Sequence, residues 1–172
     1  MRKAELVQLF GYTDFVWTKF RRHVPDAELS RIAEGSGWPT LRNCLWHIVV
    51  AYDRWVPAIV DLKNGTMPEI GAEDFMTWEQ IEAGRSRVRR ALGERLRAWS
   101  DEELAVIQNV EIDGKSLRYS RGELIAHLLL HERGHHGDVT TLLWQLGMEP
   151  DIQLDYRFFL GRHEKEDSGA PT

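Results

Sequence analysis

A chain of 172 residues is long enough to bury a core, so one domain over 1–172 is expected, ordered over about 3–162 with a polar C-terminal tail. Its composition, 42% hydrophobic and 28% charged, is that of a globular protein, and a net charge of -5 gives no electrostatic footprint for nucleic acid. No run approaches the ~18 apolar residues of a membrane span, Glu5, Gln8 and Asp14 interrupt any signal-like N-terminus, and the single cysteine, Cys44, excludes an internal disulfide, so a cytoplasmic protein is expected.

Leu6, Leu9, Phe10, Thr13, Trp17, Phe20 and Val24 recur at threes and fours and predict a helix over 3–24, ended by Pro25. Arg21, Arg22 and His23 suit its C-terminal dipole, and His23 reads as a surface residue. A connection follows over 26–39, with a short helix from Asp26 to Ala33 and breakers at Gly35, Ser36, Gly37 and Pro39. Thr40 caps a second helix whose apolar face is Leu41, Cys44, Leu45, Ile48, Tyr52 and Trp55. His47 lies inside that run. Pro57 is expected to kink or restart the helix near Val56, and Asn64-Gly65 to close it.

After a loop over 66–76, Thr77 and Gln80 make a capping box that opens a third helix to about Trp99. Its arginines, Arg85, Arg87, Arg89, Arg90, Arg95 and Arg97, read as a solvated face paired with Glu82 and Glu94. Ser100 to Glu103 caps a single turn. The β-prone stretches 105–111 and 115–119 flank Asp113-Gly114, a two-residue hairpin signal. Ser120 and Glu123 then cap a fourth long helix from Arg121 to about Leu146, with Gly147 as its stop. Gly134 and Gly137 inside it would let a neighbouring helix approach. Asp151 to Leu160 is expected to pack back as a short helix or extended tail. The fold class is all-α, a four-helix bundle with crossover connections and a small β-hairpin between helices three and four.

The chemistry concentrates in His127–Asp138, H-L-L-L-H-E-R-G-H-H-G-D. Four helical residues advance about 400°, so His127, His131 and His135 form one slightly drifting stripe, and Asp138 falls on it. His131 and His135 stand one turn apart, the spacing at which two imidazoles hold one transition-metal ion. Two histidines bind weakly, and His47 is the natural third ligand. Three imidazoles leave a coordination position open for water or substrate. His127 is a ligand, a hydrogen-bond partner of a ligand, or a polar group at the site's mouth. His136 projects off the stripe and reads as structural or exposed.

Rival readings remain at this level. His131-Glu132-x-x-His135 satisfies H-E-x-x-H, which would make Glu132 a general base, but the extended metalloprotease form needs Gly and His where Asp138 and Thr141 stand. A di-iron bundle needs two Glu-x-x-His motifs, and only Glu132-x-x-His135 is found. Cys44, three residues before His47, reads as a buried inert thiol against a catalytic one. The histidines could also serve packing alone.

Two stretches carry a resemblance: G-S-G-W-P-T-L-R-N-C-L-W-H, ending at His47, and H-L-L-L-H-E-R-G-H-H-G-D-V-T-T-L-L-W-Q-L-G, residues 127–147, with L-D-Y at 154–156. They resemble the DinB/YfiT-like superfamily of metal-dependent helical bundles, over about residues 5–160. The resemblance implies a four-helix bundle with crossover topology and the ligand set His47, His131 and His135. It implies zinc or nickel, with iron or manganese as further candidates, and a homodimer. The family pattern reads H-R-G-Q where this chain has His135-His136-Gly137-Asp138, so the inherited role of the replaced positions is open. Characterised relatives include S-transferases that use low-molecular-weight thiols such as bacillithiol or mycothiol, and related isomerases. The expectation is therefore a metal-dependent thiol transferase-like enzyme acting on a small-molecule substrate, activating a thiol or water. Asp138 or His127 would orient a ligand or bound water. The alternatives are a non-enzymatic metal-binding or stress-responsive protein, or a metal-dependent hydrolase.

Overall fold

A computed structural model describes residues 1–61, 77–112, 114–148 and 153–161. The expected closing turn at Asn64-Gly65, the loop 66–76, Asp113 of the hairpin turn and the polar tail lie outside the described residues. Four long helices dominate: α1 (Lys3–His23), α2 (Leu41–Asp61), α3 (Trp78–Ala98) and α5 (Arg121–Gln145). A short helix α4 (Asp101–Ala105) and the antiparallel strands β1 (Ile107–Ile112) and β2 (Lys115–Ser120) stand between α3 and α5. This is the all-α bundle with one hairpin that the periodicity and turn chemistry predict. No described helix is long and apolar enough to cross a membrane.

The capping signals act as read. Thr77, Ser100 and Ser120 each accept a bond from the backbone N–H three residues on, and Gln80, Glu103 and Glu123 each reach back to the cap residue's N–H. Two connections differ from expectation. Asp26–Glu28 is a single 3-10 turn instead of a helix to Ala33. α2 does not restart near Val56 but continues through Pro57, with buried Val56, Ala58 and Ile59 anchoring both sides of the lost hydrogen bond. In the hairpin, Ile112 pairs with Lys115, and Gly114 adopts the positive φ of 70° that a two-residue turn demands. Near the C-terminus, residues 156–161 are helical and Phe159 is buried against the ring of Tyr12.

α1 packs mainly on α3 and α5, and α2 packs mainly on the same two. Therefore α1 and α2 are diagonal in the bundle, as are α3 and α5. The chain crosses the bundle twice, between α1 and α2 and again between α3 and α5, where α4 and the hairpin make the passage. α5 thus sees α2 on one flank and α1 on the other, and its contact with α2 brings His47 opposite the α5 histidines.

One expectation is overturned in α3. Arg85 and Arg89 are buried, not solvated. Both reach Glu132 of α5: Arg85 Nη2 donates to Oε1 at 2.8 Å and Arg89 Nη1 to Oε2 at 3.1 Å. Asp14 of α1 pairs with both arginines, at 2.8 and 3.0 Å. The Tyr52 hydroxyl of α2 also donates to Glu132. Each long helix therefore contributes to one buried ion network. The cause is position: Arg85 lies four residues after Ile81 and three before Val88, on the apolar stripe itself.

Candidate metal centre

The three histidines singled out by spacing and likeness converge. His47 Nε2 lies 3.3 Å from His131 Nε2, which lies 3.2 Å from His135 Nε2. All three ligand atoms fall within 4.8 Å of one another. The rings are half-buried in the groove between α2 and α5. His131 and His135 meet there because four residues return a helix nearly to the same face, and His47 because α2 is α5's neighbour.

Asp138 resolves the tautomer of one ring. Its Oδ2 accepts the His135 Nδ1–H at 2.8 Å, which leaves the Nε2 lone pair facing the other two histidines. The same Oδ2 accepts the Trp38 indole N–H at 2.9 Å. Trp38 also covers the site, its ring centroid 5.1 Å from that of His47 and 5.4 Å from that of His135. Sequence reading passed over Trp38, which sits between a glycine and a proline in a loop that carries no helical period. Its signal lay only in its place within the G-S-G-W-P-T stretch.

These residues fit a divalent transition metal. Hydrogen bonding alone serves the cluster poorly: with His135 Nε2 an acceptor, one N–H on His131 cannot point well at both neighbours. Two nitrogens bound at about 2.0–2.1 Å to a tetrahedral ion stand about 3.3–3.4 Å apart, close to the spacing seen. Burial, followed by the neighbouring His135 and His47, pushes His131 down to about 4, and burial and His135 also lower His47. Both rings are thereby neutral at pH 7, the form that donates to a metal. A second set, Cys44, His135 and Asp138, also lies within 4.8 Å. It suits a metal less well, because His135 Nδ1 and Asp138 already bind each other and burial holds the Cys44 thiol protonated. Cys44 Sγ instead sits 3.7 Å from the His135 carbonyl oxygen, completely buried.

The other sequence candidates go elsewhere. His127 is exposed, outside the triad. Its ring lies 6.1 Å from that of His131 and 5.0 Å from that of Trp55. Glu132 is 0% exposed, and both its oxygens are taken by Arg85, Arg89 and Tyr52. Burial alone would raise its pKa, but Arg85 and Arg89 outweigh burial and hold the carboxyl well below the usual range. A carboxylate fully buried and held ionised by two arginines reads as an anchor of the core rather than as a general base. His136 is buried against Phe20 and Trp17, with Nε2 3.6 Å from Glu132, beyond hydrogen-bond length.

Among curated proteins, none matches the chain. The model of the DinB family matches residues 1–167, nearly the whole chain. With a bundle of the expected class, a histidine triad that could hold a metal and a match of that extent, the chain belongs to the DinB family of metal-binding helical proteins.

Proposed function

We propose that His47, His131 and His135 hold one divalent transition metal through their Nε2 atoms, zinc or nickel before iron or manganese, and that the protein is a metal-dependent S-transferase-like enzyme. The observation that carries the reading is the convergence of three Nε2 atoms at 3.2–3.3 Å, with Asp138 fixing one tautomer from behind. When bound, the ion supplies Lewis acidity that lowers the pKa of a low-molecular-weight thiol or a water beside it. The chain's residues do the rest. Asp138 keeps the His135 lone pair turned inward, and Trp38 holds Asp138 in place while walling off solvent. Cys44 is not the nucleophile, since its thiol is buried and kept protonated. The attacking sulfur must therefore arrive as a substrate. A homodimer is part of the proposal, supported by exposed Leu130 and Trp144 at the two ends of one α5 face.

The test is elemental analysis of protein purified without a histidine tag, beside a conjugation assay with a panel of low-molecular-weight thiols and a reactive electrophile. About one ion per chain is expected, lost in His131→Ala, with turnover that a chelator abolishes. Unchanged metal content in His131→Ala overturns the ligand set. Strong metal stabilisation without turnover across the thiols and with water identifies a non-enzymatic metal-binding protein instead.

A further inference from the structure

Among the described residues, a cavity next to His127 has no part in the metal-site reading. It has a volume of about 250 Å³ and lies between α2, α5 and the hairpin, lined by Trp55, Leu117, Tyr119, Glu123, Leu124 and His127. We propose that this cavity is the subsite for an uncharged aromatic ring on the substrate whose reacting end meets the histidine triad. The inference rests on the metal-site reading for what happens at the triad, but not for the binding of the ring.

Three observations carry it. The first is the wall. Trp55 offers an indole, Tyr119 a phenol ring, His127 an imidazole, and Leu117 and Leu124 supply the aliphatic sides. Flat π-faces with branched aliphatic edges suit a planar apolar guest. The second is size. An apolar cavity of about 150 Å³ already takes benzene, so this one holds a substituted single ring. The third is place. The His127 ring is shared: its centroid lies 5.0 Å from that of Trp55, the planes tilted by 59°, on the cavity side and 6.1 Å from that of His131 on the metal side. A ring seated in the cavity has the His127 side chain between it and His131 of the triad. On the opposite flank a recess of about 190 Å³ is bounded by Trp38, Ser36, Asp138, Thr141 and Gln145. That side is polar. The two flanks therefore sort a substrate's apolar and polar ends.

Charge decides against an anionic guest. Glu123 faces the cavity, and its carboxylate is already occupied by the Ser120 N–H and hydroxyl at the helix cap, with its pKa lowered by those bonds. It stays ionised and repels a carboxylate ring. The cavity also explains the hairpin: Leu117 and Tyr119 alternate along β2 and so present the same face.

The experiment uses 4-fluorobenzyl alcohol as probe, followed by fluorine NMR on the full chain, with 4-fluorobenzoate as the charged comparison. The alcohol is expected to bind in the millimolar range or tighter, and the benzoate at least about tenfold more weakly. Leu117→Trp fills the cavity and Tyr119→Ser opens it. Each is expected to weaken the alcohol about tenfold, with metal content and helical circular dichroism unchanged. Loading with Mn²⁺ is expected to broaden the bound fluorine signal, and His131→Ala to remove that broadening while leaving binding intact. Failure of the alcohol to bind, or equal binding by wild type and both variants, overturns the subsite. Binding without paramagnetic broadening in a manganese-loaded protein overturns its link to the triad. Binding in a protein that takes up no metal keeps the cavity and refutes the metal reading instead.

Discussion

Glu132→Gln is the most informative single substitution, because two accounts of Glu132 diverge on it. As the glutamate of H-E-x-x-H it would touch a reacting water, and its loss would leave the fold alone. In the structure it is the only carboxylate fully buried among the described residues, and it accepts from Arg85, Arg89 and Tyr52. The amide removes the charge and presents an NH₂ group to guanidiniums that cannot accept a bond. Breaking a buried ion pair by removing one partner costs about 3–5 kcal/mol. Here the lower end applies, since Asp14 keeps a second charge beside both arginines, although it is 44% exposed and screened. About 3 kcal/mol is a large share of the ~5–15 kcal/mol by which a domain of this size is stable. Urea unfolding of the metal-free protein measures it without interference from the site. A loss of about 1 kcal/mol or less would refute the reasoning, since a carboxylate that anchors the core cannot be removed at that cost. Exchanging Glu132, Arg85 and Arg89 together for apolar residues should return part of the loss, because no uncompensated arginine would then remain.

Asp138→Asn should weaken metal binding by about 10–100-fold and leave the unfolding of the metal-free protein nearly unchanged, as read by competition with a chromogenic chelator. His136→Phe should be neutral or stabilising in thermal melts, since neither ring nitrogen has a hydrogen-bond partner and the ring already packs on Phe20 and Trp17. A loss above about 2 kcal/mol would mean the imidazole has a polar role there. Gly137→Ala should stabilise the metal-free chain by about 0.5–1 kcal/mol, because a Cβ there meets nothing within 4 Å. If α5 pairs with a second copy through that face, the same substitution weakens self-association in sedimentation.

What could be read before folding was whatever depends on local period. The four helices, their caps and the Asp113-Gly114 hairpin rest on spacing and turn chemistry, and the described residues agree. The triad needed one long-range fact, that α2 neighbours α5, which helical class and likeness supply together. The arginines of α3 show where such reading stops. Six of them on one helix suggest a solvated surface, and composition cannot tell two buried ones from four others. The signal was in the register: Arg85 on its helix and Glu132 on α5 both interrupt apolar stripes, one basic and the other acidic. Trp38 and Asp138 differ again. Their bond joins a loop to a helix 100 residues on, and no local pattern contains it.

These placements give α5 three faces with separate duties. His127, His131, His135 and Asp138 lie on one stripe. Glu132 and His136 follow His131 and His135 by one residue, hence by about 100°, and enter the core. Leu130 and Trp144, with Gly134 and Gly137 between them, lie on the other side and face outward. A turn of the helix by a single residue would carry Glu132 toward the metal groove and His131 into solvent. Apolar packing resists such a slip, since it would turn buried Leu124 and Leu128 out of the core. Buried charge resists it strongly, because turning Glu132 away strands Arg85 and Arg89 together in the core. The ion network thus joins the apolar face in setting the rotation of the helix that carries two of the three ligands. This is why Glu132→Gln should loosen metal binding as well as the fold, and why that second effect should vanish once the charges are removed together.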